Sequence, residues 1–127
     1  MRTPIDFTPH VRAGTLRVVA LAAAELPRYV ECARLVGDGE AATIAAAACR
    51  GVPLATDDRK ARRVCTDLGL PAPVRTLALL RQYAEQTNLT RADVRTLLLA
   101  VRRRASFAPP RADPDSPWWQ RHFDDLT

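Results

Sequence analysis

The chain has 127 residues, of which 47% are hydrophobic and 26% are charged, and its formal net charge is +5. This length fits a single domain with a modest core, and the hydrophobic share predicts a folded chain rather than a disordered one. No apolar run reaches the roughly 18 residues that a membrane-spanning helix needs, and the first residues lack the apolar centre of a secretion signal. We therefore expect a cytoplasmic protein with no membrane partner.

The charged composition is unusual because the basic residues are eighteen arginines and a single lysine, Lys60. Arginine holds phosphate in a planar fork, so the composition favours an acidic partner such as RNA or an acidic protein. The same bias also follows from a GC-rich genome. The three cysteines are far apart and form no CxxC pair, so the sequence predicts neither a zinc site nor a disulfide.

The first part of the chain predicts one strand and two helices. Residues 16–21 (LRVVAL) form a short apolar run with β-branched members, which is typical of a strand. Pro27 opens a predicted helix that ends before Gly37. Asp38 is the predicted N-cap of the next helix, which runs to about residue 50 and is stopped by Gly51. Because that helix is apolar nearly all round, we expect it to be buried on several sides.

The middle of the chain predicts two short strands separated by a helix. Residues 52–56 (VPLAT) and 72–75 are the strands. Asp57 and Asp58 turn the chain into the helix, whose apolar residues are spaced i, i+3, i+4 and i+7. Gly69 ends it.

The last part of the chain predicts two helices and a proline-rich end. Thr76 is the predicted N-cap of the first helix, and Thr90 with Asp93 forms a capping-box pattern at the start of the second. The apolar stripe of the second helix consists of Val94, Leu97, Leu98 and Val101. Residues 108–127 are a proline-rich extension that carries the Trp118–Trp119 pair and one last helical turn.

This alternation predicts an α/β fold, a parallel sheet flanked by helices with right-handed crossovers. Ligands of such sheets bind beyond the carboxyl ends of the strands. Asp57 and Asp58 follow a strand end, and Glu40 lies in the first turn of the helix that leads into that strand. We therefore expect the three carboxylates to meet at one edge of the sheet.

Clustered carboxylates repel one another unless a cation lies between them. Mg²⁺ or Mn²⁺ takes oxygen ligands of this kind and can activate water against a phosphodiester. Arg59 and Arg62, in the basic run that follows, would hold the substrate phosphate. Purely structural roles for these residues stay open beside metal and phosphate binding. Asp38 can cap a helix, and so can one of Asp57 and Asp58. Glu40 suits a helix N-terminus through the helix dipole, and a basic run is often a solvated surface.

Residues 37–63 read GDGEAATIAAAACRGVPLATDDRKARR, and residues 74–80 read VRTLALL. Together they resemble the carboxyl-terminal portion of PIN-domain proteins, which are α/β ribonucleases and include VapC-type toxins of toxin–antitoxin pairs. The resemblance implies an Mg²⁺- or Mn²⁺-dependent endoribonuclease that acts on RNA and has an antitoxin as partner. It assigns Glu40 and Asp58 to catalysis and metal binding, and Asp57 to the same metal.

The resemblance is incomplete, because the family has an aspartate on its first strand and a glutamate on an early helix that have no counterpart here. It therefore implies one PIN-like domain over residues 1–127, truncated at its N-terminus and impaired in cleavage. The alternative is a non-catalytic interaction module that forms a homodimer or binds an antitoxin through an exposed sheet edge. A third hypothesis is a DNA-binding helix within residues 87–105.

Overall fold

The computed structural model describes residues 4–124 of the chain, which divides after Gly51 into two compact units, Met1–Gly51 and Val52–Thr127. We call them unit 1 and unit 2. Unit 1 contains α1 (Thr8–Arg12), a 3₁₀ turn (Ala23–Glu25), α2 (Leu26–Ala33) and α3 (Asp38–Arg50). Unit 2 contains α4 (Arg59–Asp67), α5 (Thr76–Gln86), α6 (Arg91–Arg104) and α7 (Ser116–Asp124). No helix within residues 4–124 is both long enough and apolar enough to cross a membrane.

Unit 1 is built on the packing of α2 against α3. Pro27 lies in the first turn of α2, as the sequence predicts. The predicted stop of α3 is confirmed, because Gly51 follows it with a φ of 65°, a left-handed conformation that glycine adopts without steric cost. The buried residues of α2 and α3 are Cys32, Ala41, Ile44, Ala45 and Ala47. Alanine lets helices approach closely, but it buries little apolar area.

An ion pair between Glu25 and Arg50 joins the 3₁₀ turn of unit 1 to the last turn of α3. The guanidinium donates from Nε to Oε2 and from one Nη to Oε1 of Glu25, both at 2.8 Å. The same Nη donates to the carbonyl oxygen of Ala20 at 2.8 Å, and Ala22 N–H donates to Glu25 Oε1 at 2.8 Å. These hydrogen bonds, that of Arg50 first, lower the pKa of Glu25 to about 2.

The predicted first strand is absent from unit 1. Residues 16–21 have no regular secondary structure, and among the described residues none of 17–21 donates or accepts a backbone–backbone hydrogen bond. Most of their apolar side chains are open to solvent, since Val18 is 84% exposed and Val19 is 54% exposed, whereas Leu21 is half-buried. We call residues 16–21 the unpaired segment.

Unit 2 has a core of larger side chains drawn from α5, α6 and α7. Its buried members are Leu77, Ala84, Val94, Leu98, Trp118 and Trp119. Trp119 lies between two other rings, with its centroid 5.7 Å from that of Phe107 and 5.0 Å from that of Phe123. The apolar stripe predicted on α6 is therefore used in packing, with Val94 and Leu98 at its centre.

The prediction of an α/β fold with a PIN-like parallel sheet is wrong, because residues 4–124 are helical and contain no strand. The predicted strands at 52–56 and 72–75 meet in one parallel bridge, Ala55 with Val74, and go no further. Pro53 and Pro73 lie close to this bridge and have no N–H to donate, so a longer ladder would lack hydrogen bonds. The resemblance to PIN-domain proteins requires a parallel sheet and is contradicted by the same observation. The inferred N-terminal truncation rested on that resemblance and loses its basis.

The predicted helix starts have different outcomes. Thr76, the predicted N-cap of α5, is instead the first residue of that helix, and Arg75 occupies the N-cap position. Thr90 is the N-cap of α6, and its hydroxyl accepts a hydrogen bond from Asp93 N–H at 3.1 Å, as the capping pattern predicts. Asp38 is instead the first residue of α3, and Gly37 occupies the N-cap position. The acid at 38 therefore lies in the first turn, where it can still interact favourably with the helix dipole.

Candidate functional site

Asp57, one of the predicted metal ligands, is hydrogen-bonded to the start of α5 through both carboxylate oxygens. Thr76 N–H donates to Oδ1 at 2.9 Å, and the Thr76 hydroxyl donates to Oδ2. The N-cap of α5 is Arg75, whose side chain has no acceptor. Asp57 supplies that acceptor from the other side of the parallel bridge, which gives it a structural role.

Asp58, predicted as a catalytic residue and metal ligand, is the N-cap of α4. Its Oδ1 accepts a hydrogen bond from Ala61 N–H at 2.7 Å. Its own N–H donates to the Thr56 hydroxyl at 3.1 Å. The expectation that one of the two aspartates caps this helix is confirmed, and the second oxygen of Asp58 remains outside these bonds.

Glu40, the third predicted ligand, lies in the first turn of α3 and belongs to unit 1. Its carboxylate folds back over Gly37, since a Cβ at that glycine would lie 2.7 Å from Oε2. Asp57 and Asp58 belong to unit 2, and the sheet edge at which the three were predicted to meet is absent from residues 4–124. Within those residues, no three His, Cys, Asp or Glu side chains are grouped so that they could hold a metal ion. The Mg²⁺ or Mn²⁺ site therefore stays a prediction.

The basic run after Asp58 forms one side of α4. Arg59, Lys60 and Arg63 are exposed, and we call these three residues the α4 basic face. The opposite side of the helix is buried and consists of Ala61, Val64 and Cys65. A helix with a buried apolar side has a fixed rotation, so the three cations point to solvent.

Arg62, predicted to hold phosphate beside Arg59, lies at the border of this face. It is half-buried, and one Nη donates to the carbonyl oxygen of Pro73 at 2.9 Å. A guanidinium has five N–H donors, so this bond leaves others unused. Arg62 therefore anchors α4 while keeping donors for a ligand.

Other arginines of unit 2 are committed to internal ion pairs. Arg81 bridges Asp115 at 2.9 Å and Glu85 at 3.0 Å, and Arg75 lies 3.8 Å from the buried Asp113. The described structure records no such salt bridge for the α4 basic face. The arginines of unit 2 thus divide into those that hold the fold and those that face outward.

A cavity of about 370 Å³ lies beside α6 and α7 and is lined by Arg91, Ala92, Arg95 and His122. The Nδ1 atom of His122 is buried and has no hydrogen-bond partner among the described residues. Burial, followed by the charges of Arg91 and Arg121, lowers the pKa of His122. The ring is fixed by an edge contact with Trp118, whose centroid is 5.1 Å away.

Sequence reasoning missed this cavity because it depends on how α7 packs against α6. Arg91 and Arg95 are spaced i, i+4 and therefore lie on one side of a helix, which was readable in the sequence. The contribution of His122 was not readable, since the proline-rich loop between the two helices gives no distance or angle. No protein-family model, curated protein or solved structure matches this chain.

Proposed function

We propose that this protein binds RNA and that the α4 basic face contacts the phosphate backbone. The observation that supports this most is the arrangement of α4, which presents Arg59, Lys60 and Arg63 on the side opposite its buried residues. Cations that are held outward by a packed helix meet a phosphate chain without first breaking internal ion pairs. Such contacts are independent of base sequence, so we expect affinity for many RNA sequences.

In this proposal the cationic side chains of α4 bind the phosphates, and the backbone amides at the N-terminus of the helix do not. The carboxylate of Asp58 already accepts a hydrogen bond from the first turn of α4, so the free amides there offer little to an anion. Arg59 lies in that same first turn, where a cation is unfavourable to the helix dipole. A phosphate near Arg59 relieves this unfavourable interaction and gains the charge-assisted hydrogen bonds of the guanidinium.

Fluorescence anisotropy with a labelled 20-nucleotide RNA at several salt concentrations tests the proposal. The variant R59Q/R63Q removes two cations of the α4 basic face, and R12Q/R34Q removes two exposed cations of unit 1 as a matched control. Loss of two phosphate contacts reduces the slope of log K against log salt by about 1.4 for a single strand. We expect this loss in R59Q/R63Q alone, and equal effects in both variants would overturn the proposal.

Duplex DNA serves as the competing ligand in the same assay. The hypothesis of a DNA-binding helix at residues 87–105 requires the apolar stripe of α6 to be buried in the protein, and Val94 and Leu98 are buried. Its outward cations Arg103 and Arg104 remain exposed. Binding to duplex DNA that is tighter than binding to RNA would favour that helix over α4.

Metal-dependent cleavage of RNA by Glu40, Asp57 and Asp58 remains a separate proposal. Its support is that the two aspartates directly precede the α4 basic face in unit 2. Their hydrogen bonds to the starts of α4 and α5 account for the presence of both acids without a metal. The variant D58N is decisive because asparagine caps a helix as well as aspartate but removes the negative charge. We expect Mn²⁺-dependent cleavage that D58N abolishes, and a wild-type chain that never cleaves RNA would refute it.

A second candidate function, self-association, is favoured by the unpaired segment of unit 1. Antiparallel pairing of two copies about the Val18–Val19 step would place Leu16 opposite Leu21 and Arg17 opposite Ala20. The only charge in the segment would then face a neutral residue, and the unused backbone groups would pair. An antitoxin could pair with the same segment, and this partner, like the cytoplasmic location, stays an expectation. The free Cys49 and Cys65 thiols support that location.

Sedimentation measurements test the homodimer with V18K, which would place two charges next to the two-fold axis. The matched control is V52K, which changes a valine of unit 2 that is 51% exposed. We expect a dimer that V18K dissociates and V52K preserves. A wild-type chain that is monomeric at high micromolar concentration would exclude self-association as the function of this segment.

A further inference from the structure

The cavity beside α6 and α7 has the size and the donors of a small-ligand site. Its volume of about 370 Å³ lies at the low end of the range for such sites, about 300–1,000 Å³. Arg91 and Arg95 line it from one side of α6, one turn apart, and His122 lines it from α7. Ala92 adds no bulk beyond a methyl group, so space for a ligand remains next to the two guanidinium groups.

Two arginines, Arg91 and Arg95, are the charged side chains among the described residues that line this cavity. Arg121 lies next to His122 and adds to the potential that its ring experiences. Asp93, the acid in the first turn of α6, is two residues from Arg91 and therefore projects from a different side of the helix. The acids Asp113 and Asp115 are paired with Arg75 and Arg81. Asp93, Asp113 and Asp115 are thus directed elsewhere.

The His122 ring lines the cavity from α7. Its Nδ1 atom is buried and has no hydrogen-bond partner among residues 4–124, so this atom is closed to a ligand in the cavity. Burial, followed by the charges of Arg91 and Arg121, lowers the pKa of the ring, which favours its neutral form beside the two guanidinium groups.

We propose that this cavity binds the phosphate group of a phosphomonoester, with Arg91 and Arg95 pairing with its oxygens beside the ring of His122. Arginine matches phosphate through two parallel N–H donors, and each guanidinium has donors to spare beyond any contact it already makes. The phosphomonoester is either a free nucleotide or the terminal phosphate of an RNA strand. Both sources present the same dianionic group to the cavity.

Isothermal titration calorimetry with adenosine 5′-monophosphate tests the proposal, with adenosine as the probe that lacks phosphate. We expect the nucleotide to bind and adenosine not to bind. The variants R91Q and R95Q each lose charge-assisted hydrogen bonds, so we expect each to weaken nucleotide binding roughly tenfold or more. The matched control R103Q removes an exposed arginine further along the same helix and should change the affinity less than twofold.

Three results would overturn the phosphate site. These are equal binding of adenosine and its monophosphate, equal effects of R95Q and R103Q, and no binding by either of the two phosphate sources. Circular dichroism of each variant separates loss of binding from loss of α6.

A second pair of probes distinguishes the two sources. A 10-nucleotide RNA with a 5′-phosphate is compared with the same strand ending in a 5′-hydroxyl. A tenfold preference for the phosphorylated strand that R95Q removes assigns the cavity to strand ends. Equal binding of both strands, with the free nucleotide bound, assigns it to a small phosphomonoester.

This site is separable from RNA binding by the α4 basic face. R59Q/R63Q should leave binding of adenosine 5′-monophosphate unchanged, and R91Q should leave the salt dependence for the 5′-hydroxyl strand unchanged. Failure of one proposal therefore leaves the other intact.

Discussion

Unit 1 and unit 2 differ in what their residues bury. Among residues 4–124, the buried apolar residues of unit 1 are mainly alanines, with Ile44 as the one large member, whereas those of unit 2 include two tryptophans and two leucines. Nine of the twelve large hydrophobic residues that are exposed between residues 4 and 124 belong to unit 1. Since stabilisation scales with the apolar area removed from water, unit 1 must depend more on polar interactions or on a partner. The predictions below test this division.

The largest expected effect is the loss of Trp119 from the core of unit 2. It is 5% exposed and packs between the rings of Phe107 and Phe123. W119A should reduce the free energy of unfolding by about 3–5 kcal/mol, measured by urea denaturation with circular dichroism. Y83A, which truncates a side chain that is 53% exposed, should cost less than about 1 kcal/mol. Similar costs for both variants would contradict the assigned core.

Unit 1 should instead be sensitive to acid through the Glu25–Arg50 ion pair. The folded state lowers the pKa of Glu25 from its ordinary 4.5 to about 2. The stabilisation is therefore fully present above pH 4.5 and is lost as the pH falls towards 2. E25Q should lower the melting temperature at pH 6, and its difference from the wild type should shrink below pH 4.5.

The control for this ion pair is E31Q, which removes an exposed acid that lies 3.4 Å from Arg28. Surface pairs of this kind contribute little, so E31Q should melt close to the wild type throughout. A pH-independent difference between E25Q and the wild type would show that the pKa shift is not the source of stability.

The N-cap of α4 should have a smaller effect. D58A leaves the Ala61 N–H without its acceptor and should cost about 1 kcal/mol, whereas D58N should cost almost nothing. D67A, at the other end of α4, removes an acid that is unfavourable near a helix C-terminus and should not destabilise. Equal losses in D58A and D58N would mean that charge, and not capping, is what this residue contributes.

The smallest expected change is a gain of stability. H122F replaces a ring whose Nδ1 is buried without a partner in the described residues, and it preserves the edge contact with Trp118. It should stabilise unit 2 by up to about 1 kcal/mol. H10F, at an exposed histidine of unit 1, should leave the stability unchanged. Destabilisation by H122F would show that the Nδ1 atom has a structural partner.

Local signals in the sequence predicted the bounds of several helices, although they did not predict α1. Gly51, Asp58 and Thr90 end or cap helices where expected, because capping depends on neighbouring residues alone. The strands were wrong because short apolar runs such as LRVVAL and VPLAT satisfy strand patterns without guaranteeing a pairing partner. Pro53 and Pro73 argue against a sheet here, because neither has an N–H to donate to a ladder.

The candidate sites depend partly on local sequence spacing and partly on how the helices pack. The outward side of α4 follows from its spacing, so Arg59 could be placed from the sequence. The cavity with Arg91, Arg95 and His122 arises only when two helices pack, which spacing does not encode. The aspartates were attributed to a metal because their acceptors, Thr76 N–H and Ala61 N–H, become visible only in three dimensions.

The Glu25–Arg50 ion pair can form only after all of unit 1 has been translated. Every atom it uses belongs to residues 20–50, and the arginine is the last residue of α3. On a ribosome, Glu25 emerges well before the cation that pairs with it, and the alanine-rich helix between them must be translated first. Unit 1 can therefore form the Glu25–Arg50 ion pair once about fifty residues of the nascent chain have left the exit tunnel, while unit 2 is still being made.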